Sequence, residues 1–327
     1  MISSPSGNKL ADGPDGSLIY RKPRSLRRCN ISMLGIAAAW IWPPTRHPDR
    51  SRAMDSPTPV DPLPKVWDPN SRVGEMLKGY RGLVVGIANE HSIAFGCAAK
   101  LRAFGADLAV TWLNEKAEKY VRPLAEQIDA DIMMQMDVEK PGELEAVFEL
   151  IRERWGRLDF VIHSIAFAPR EDLHGRVVDC SADGFTQAMR VSVHSFLRMA
   201  RLAEPLMTNG GALVTMSYYG ADKVVGNYNM MGPVKAALEA CVRYAAAELG
   251  PKNIRAYAVS PGPLKTRAAS GIAHFDELIE AAVKRAPVGR LVDIAEVGRV
   301  VAFLVSGAAS GITGETVYVD AGLHNVA

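Results

Sequence analysis

Two phenols and an amine in "SYYGADKVVGNYNMMGPVK", residues 217–235, have the types and spacing for proton-donor chemistry: Tyr218, Tyr228 and Lys235. A phenol donates well to an oxygen on which negative charge develops, and a nearby cation favours its ionised form. Tyr228 and Lys235 are seven residues apart, about 700° of rotation on an ideal helix, so a single helix face can carry both. Pro233 complicates this, because inside a helix it lacks an N–H and clashes with the preceding turn. Either the helix begins near Met230 and leaves Tyr228 at its threshold, or it kinks. His163, closing the apolar run "DFVIH", is a further titratable candidate. A histidine closing a buried strand is expected to be a hydrogen-bonded core residue rather than an acid or base.

The elements that must position these groups are visible from Arg81 onward. "GLVVGIA", "ADLAVTW", "DIMMQMD", "DFVIHSIA", "GALVTMSY", "IRAYAVS" and "ETVYVDAG" are apolar runs of strand length. Most are separated by longer amphipathic stretches such as "SIAFGCAAKLRAFGA" and "GELEAVFELIRERWG". This alternation predicts an α/β fold of Rossmann type, a doubly wound seven-stranded parallel sheet with helices on both faces. No linker interrupts it, so one domain is expected over residues 72–327.

Residues 1–71 read as a basic, then Pro-rich leader. Residues 1–53 hold nine Lys and Arg against three Asp and Glu, which leaves 29 against 33 for the rest. The body is therefore slightly acidic and has no electrostatic footprint for nucleic acid. The apolar stretch after "RKPRSLRR" is too short to span a bilayer, so no membrane association is expected. An over-extended start is favoured over an export signal, with Met54 beginning the chain and "MDSPTPVDPLPKVWDPN" forming a mobile arm. Four scattered cysteines, Cys29, Cys97, Cys180 and Cys241, suggest neither a disulfide framework nor a metal site. A reducing compartment, the cytoplasm, fits best.

"GIANEHSIAFG", residues 86–96, lies where the first strand turns into the first helix. There Gly86 makes a tight turn, Ser92 caps the helix with its hydroxyl toward a pyrophosphate, and Gly96 lets helix and strand pack closely. After the second strand, Leu113 and Asn114 present no positive charge, which favours NADH over NADPH; Lys116 is the residue that opposes this. Asp137, ending the third strand, is placed to reach the adenine amino group, and a helix-capping role is compatible with that.

From about Gly79 to Gly322 the chain resembles the enoyl-acyl carrier protein reductases of bacterial type II fatty acid synthesis, a divergent branch of the short-chain dehydrogenase superfamily. The resemblance rests on "GIANEHSIAFG", "DVEKPGELEAVF", "FVIHSIAFAP", "SYYGADKVVGNYNMMGPVKAALEA", "SPGPLKTRAASGI" and "ITGETVYVDAG", in the family's order and spacing. In this branch the Tyr and Lys are seven residues apart, where ordinary members of the superfamily have four. The resemblance implies NADH-dependent reduction of trans-2-enoyl thioesters. Tyr228 would face the thioester oxygen, Tyr218 would line the acyl group, and Lys235 would hold the nicotinamide ribose. It further implies cofactor contacts at Ile93, Val138, Ile165 and Leu264 to Ala268, that is Leu264, Lys265, Thr266, Arg267 and Ala268. Ala168 would touch substrate, and Ala166 stands where relatives commonly carry Gly. Residues 264–290 would form a flap over the acyl chain, with Arg267 facing either a carrier-protein phosphate or solvent. The implied partners are an acyl carrier protein and further copies of the chain, as a homotetramer. The apolar surplus of "FTQAMRVSVHSFLRMARLAEPLM" and "AALEACVRYAAAELG" is consistent with burial against another subunit.

Overall fold

The computed structural model describes residues 11–12, 18–19, 75–264, 266 and 275–326. The chain divides into two compact units, residues 1–60 and 61–327. In the first, Ala11–Asp12 pairs antiparallel with Leu18–Ile19.

The second unit is built on strands β1 (Arg81–Val85), β2 (Asp107–Trp112), β3 (Ile132–Gln135), β4 (Phe160–His163), β5 (Gly211–Met216), β6 (Ile254–Pro261) and β7 (Glu315–Val319). They form one parallel sheet in the order β3-β2-β1-β4-β5-β6-β7, as the alternation of runs leads one to expect. Parallel strands need a crossover between them. The helices α1 (Ile93–Ala103), α2 (Glu115–Gln127) and α3 (Glu143–Trp155) supply the first three, and a short helix, α4 (Arg170–Leu173), follows β4.

Successive strand residues point to opposite faces, and both faces are apolar. Leu83, Val85, Val161 and Leu213 pack on one side with Phe148 of α3. On the same side lie Phe196 of α6 (Ser195–Ala203) and Leu238 of α7 (Met231–Leu249). Val84, Phe160, Ile162 and Val214 pack on the other side with Leu101 of α1 and Val301 of a C-terminal helix, Ile294–Val305.

Gly96 has a different task from the one its position suggests. A Cβ there would lie 2.4 Å from the Ile294 carbonyl oxygen, and a Cβ on Gly298 would lie 2.4 Å from that of Gly96. The paired glycines bring α1 against the C-terminal helix, not against a strand. Nothing in a local pattern distinguishes these two uses of a small residue.

The long apolar segment after residue 181 is also subdivided. Helix α5 (Ala182–Met189) passes through a π turn, Arg190–His194, into α6. Such turns interrupt the regular ladder and redirect side chains. Ser192, fully buried in this turn, uses its hydroxyl to accept the Phe167 N–H at 3.0 Å and to donate to the Phe167 carbonyl at 3.2 Å.

Gly96→Val is expected to lower unfolding stability by about 1–3 kcal/mol through overpacking, measured by urea denaturation. Gly298→Val should lose a similar amount, and the double variant less than the sum, because both spoil one contact. Additive losses would show that the glycines act separately.

Candidate active site

The six segments expected to build a site all lie just past the C-terminal ends of strands. Gly86 follows β1, Leu113 β2, Asp137 β3, Ile165 β4, Tyr218 β5 and Leu264 β6. In an open parallel sheet this edge forms a crevice where the strand order reverses, here between β1 and β4.

Gly86 defines the floor of that crevice. Its φ is +106°, and a Cβ would lie 2.0 Å from the Ser164 carbonyl oxygen, so any side chain would collide with the loop leaving β4. Ser92 occupies the N-cap position of α1 as expected, but its hydroxyl does not cap the helix. It turns back into the loop, accepting the N–H groups of Ala88 and Asn89, both at 3.0 Å, and donating to Asn89 Oδ1 at 3.2 Å. The first turn of α1, beginning at Ile93, therefore keeps N–H groups uncapped by a side chain, and these favour an anion.

Further along the edge, Leu113 is 53% exposed. Asn114 caps α2 by accepting the Ala117 N–H at 3.0 Å, while Lys116 is exposed in the first turn. Asp137 does not cap α3, whose N-cap is Gly142. Its Oδ1 instead accepts the Glu139 N–H at 2.9 Å, closing a local turn, and its own N–H donates to Glu143 at 2.7 Å. Val138 beside it is buried, with its carbonyl held by Arg198 at 2.8 Å. Ile165 and Ala168 are half-buried against the core that also receives Tyr218. Leu264 packs partly against the opposite core, and its carbonyl accepts the Thr266 N–H at 2.8 Å. Lys265, Arg267 and Ala268 lie outside the described residues, as does much of the expected flap.

The tyrosines and the lysine meet at the exit of β5. The rings of Tyr218 and Tyr228 pack edge to face with centroids 4.9 Å apart. Tyr219 also packs edge to face with Tyr218, at 4.8 Å. The Tyr218 hydroxyl is buried, and its interaction with the Tyr219 phenol adds to the rise in its pKa. Lys235, 5% exposed, donates from Nζ to the Met216 carbonyl at 2.7 Å.

The structure resolves the Pro233 question. Helix α7 starts at Met231, so Tyr228 sits in the preceding turn and the shared-face argument does not apply. Pro233 is the third residue of α7, where the N–H would be unpaired within the helix in any case. Asn227 and Asn229 take left-handed backbone conformations, φ 61° and 44°, which turn the chain into the helix. The Asn229 side chain donates to the Leu173 carbonyl at 2.8 Å, tying this turn to the end of the short helix α4 after β4. Gly220 completes the arrangement, since a Cβ there would come within 2.6 Å of the Tyr228 ring. Reading the sequence misses Asn229, Gly220 and two buried polar residues, Ser217 and Glu239. Only the "SYYG" and "LEAC" contexts hint at them.

Burial raises the pKa of both tyrosines. For Tyr218 the neighbouring phenols add to the effect, and for Tyr228 the charge of Glu239 does. Burial has the opposite effect on Lys235, lowering it to about 8 while Glu239 pulls it up. The site therefore holds two protonated phenols beside an amine that remains mostly charged at neutral pH.

A family model for enoyl-(acyl carrier protein) reductase matches residues 86–324. The chain belongs to that family. It is 45% identical over 251 residues to enoyl-(acyl-carrier-protein) reductase (NADH) 1 of Rhizobium meliloti, covering 77% of this chain and 92% of that one. Against the corresponding reductase of Synechocystis it is 45% identical, covering 75% and 96%. The solved enoyl-(acyl-carrier-protein) reductase of Anaplasma phagocytophilum, in complex with NAD, superposes with a TM-score of 0.75 at 44% identity, covering 78% and 97%. That of Bacillus cereus, with NADP+ and indole naphthyridinone, gives 0.76 at 42%, covering 77% and 99%.

In this member of the enoyl reductase family, His163 is part of the frame around the site. It is fully buried, with Nδ1 2.8 Å from Thr215 Oγ1 and Nε2 2.7 Å from Ser195 Oγ. Ser195 donates its own proton to the Val191 carbonyl at 2.6 Å, so it accepts from Nε2–H, and Nδ1 accepts from Thr215. That arrangement suits the neutral ring. Burial, with the nearby charge of Lys235, lowers the His163 pKa from 6.5 to about 3. Between those two values the unfolded chain binds a proton that the folded chain does not, so this contribution to stability falls as acid is added. His163→Asn is expected to unfold more easily at pH 7, by about 1–3 kcal/mol for the lost hydrogen bonds. It should also show a flatter loss of stability toward about pH 5, followed by urea denaturation across that range. An equal acid slope in both proteins would assign the slope to other groups.

Proposed function

We propose that the site reduces the trans-2 double bond of enoyl thioesters held by an acyl carrier protein, using NADH, as the final reductive step of a fatty acid elongation cycle. The observation that carries this reading is the packing of Tyr218 on Tyr228 at the exit of β5, with buried Lys235 hydrogen-bonded to Met216, two residues before Tyr218. Bound NADH would supply a hydride to C3 of the substrate; the electrons displaced from the double bond collect on the thioester oxygen, and a proton taken up at C2 from solvent completes the reduction.

The residues of this chain fit both partners of that reaction. The bare backbone at Gly86 and the uncapped start of α1 suit a pyrophosphate. Leu113 offers no cation to a ribose phosphate, which supports NADH over NADPH, as the names of the Rhizobium and Synechocystis relatives do. Asp137, Val138, Ile165, Leu264 and Thr266 line the rest of the cofactor path, and Ala168 borders the acyl group.

Tyr228 acts as a donor rather than a base, because burial and Glu239 keep its proton in place. A donor whose partner oxygen becomes anionic only during reaction stabilises the transition state more than the bound substrate. Tyr218, whose ring packs against that of Tyr228 and whose hydroxyl is buried, lines the thioester. Lys235 holds the nicotinamide ribose hydroxyls and favours negative charge near the phenol.

Exposed apolar side chains on the outer helices, Leu197 of α6 and Tyr244 of α7, support a homo-oligomer, read here as a tetramer. No described helix is long and apolar enough to cross a membrane, and the cytoplasm is the proposed site of action.

Purified protein with NADH and an enoyl thioester should consume the reduced-nicotinamide absorbance. Tyr228→Phe is expected to lower kcat by about 10²–10³-fold and leave NADH affinity nearly unchanged. Lys235→Ala should weaken NADH binding by about 10-fold or more, the scale of a charged hydrogen bond. An unaltered kcat in Tyr228→Phe, or turnover of ketones alone, would overturn the reading.

A further inference from the structure

Glu239 is a buried carboxylate, 9% exposed, that the proposed chemistry leaves unused. It lies one helical turn beyond Lys235 on α7, so the two side chains share a face. Its Oε1 accepts a hydrogen bond from Ser217 Oγ at 2.5 Å. Ser217 directly follows Met216, whose carbonyl accepts Lys235 Nζ, and directly precedes Tyr218. The Ser217 N–H meanwhile donates to the Val259 carbonyl of β6 at 2.7 Å, so its backbone is held by the sheet while its side chain is held by the helix. Two consecutive residues at the exit of β5 are thus tied to α7, one by Lys235 and one by Glu239.

We propose that Glu239 is a positioning residue for this reaction: through Ser217 it fixes the exit of β5 that carries Tyr218, and through its negative charge it holds Lys235 as an ammonium ion. The proposal rests on Lys235 as the group that binds the cofactor ribose.

The surroundings leave this charge largely to Glu239. From β4, His163 interacts with Lys235 but is neutral and doubly hydrogen-bonded. Tyr228 before α7, Tyr218 after β5 and Tyr318 on β7 are phenols with raised pKa values and carry no charge at neutral pH. Asp320 acts on Tyr218 and Tyr318, and Asp222 and Lys223 act on Tyr318. The carboxylate acting on Lys235 itself is that of Glu239, which opposes the downward push of burial. With Lys235 titrating at about 8, its hold on the ribose weakens as pH rises through that value. Without Glu239 the loss must begin at lower pH.

The test is NADH affinity of the full chain, read by nicotinamide fluorescence from about pH 6 to 10, spanning the ordinary and the lowered lysine range. Wild-type affinity should fall on the alkaline side. In Glu239→Gln, which keeps an acceptor for Ser217 but no charge, that limb should move about 1 pH unit lower. Ser217→Ala keeps the charge, so its limb should coincide with wild type while kcat falls. Should Glu239→Gln fail to fold, Glu239→Met offers an uncharged unbranched side chain of similar length for a buried position, and its limb should move the same way. An alkaline limb in the uncharged variant that coincides with wild type overturns the proposal alone. Wild-type protein that binds no NADH at any pH overturns the reading of Lys235 and the proposal with it.

Discussion

An ammonium group buried beneath a parallel sheet's edge is an expensive object, because removal from water favours its neutral form. Much of the architecture around β5 makes such a group tenable. Lys235 donates one hydrogen bond to the carbonyl of Met216, the last residue of β5. The phenols beside it bring polar edges without charge, and Glu239 supplies the compensating field from the same helix. The backbone follows from these needs: a turn with two left-handed asparagines delivers Tyr228, and a helix starting at Met231 delivers Lys235.

The opposite side of the crevice is governed by proximity rather than charge. β1 and β4 are neighbours, and their exits touch backbone to backbone at Gly86 and Ser164. On this side the protein contributes bare N–H groups, with Ser92 turned inward to brace the loop. The two halves are joined through the segment after β4, pinned at Phe167 by Ser192 and at Leu173 by Asn229. Each bond comes from a different element, so this segment is fixed by the assembled fold and not by its own sequence.

That division explains what could be read from the residues in advance. The seven strands were legible because a buried parallel strand must be a short apolar run, whatever its neighbours, and Tyr218, Tyr228 and Lys235 because their motif context is specific. Gly96 and the capping roles of Ser92 and Asp137 differ from expectation for separate reasons. Gly96 meets a helix some two hundred residues away, which no local pattern shows, whereas Ser92 and Asp137 find other partners within a few residues of themselves, in the loop behind one and the turn of the other. Glu239 was invisible because only the docking of α7 on β5 shows that it faces Ser217.

The order of Gly232 and Pro233 has a consequence of its own. Proline disfavours helical geometry in the residue before it through clashes with that residue's N–H and Cβ, and glycine lacks the second. Gly232 also donates its N–H to the Asn229 carbonyl, and a Cβ there would lie 3.2 Å from the Gly220 oxygen. Read in reverse, Pro-Gly would remove that hydrogen bond and press a ring toward the turn that seats Tyr228. The dipeptide is thus a one-way joint: its composition could be preserved through an exchange of two neighbours while its function as a hinge pin for the tyrosine was lost.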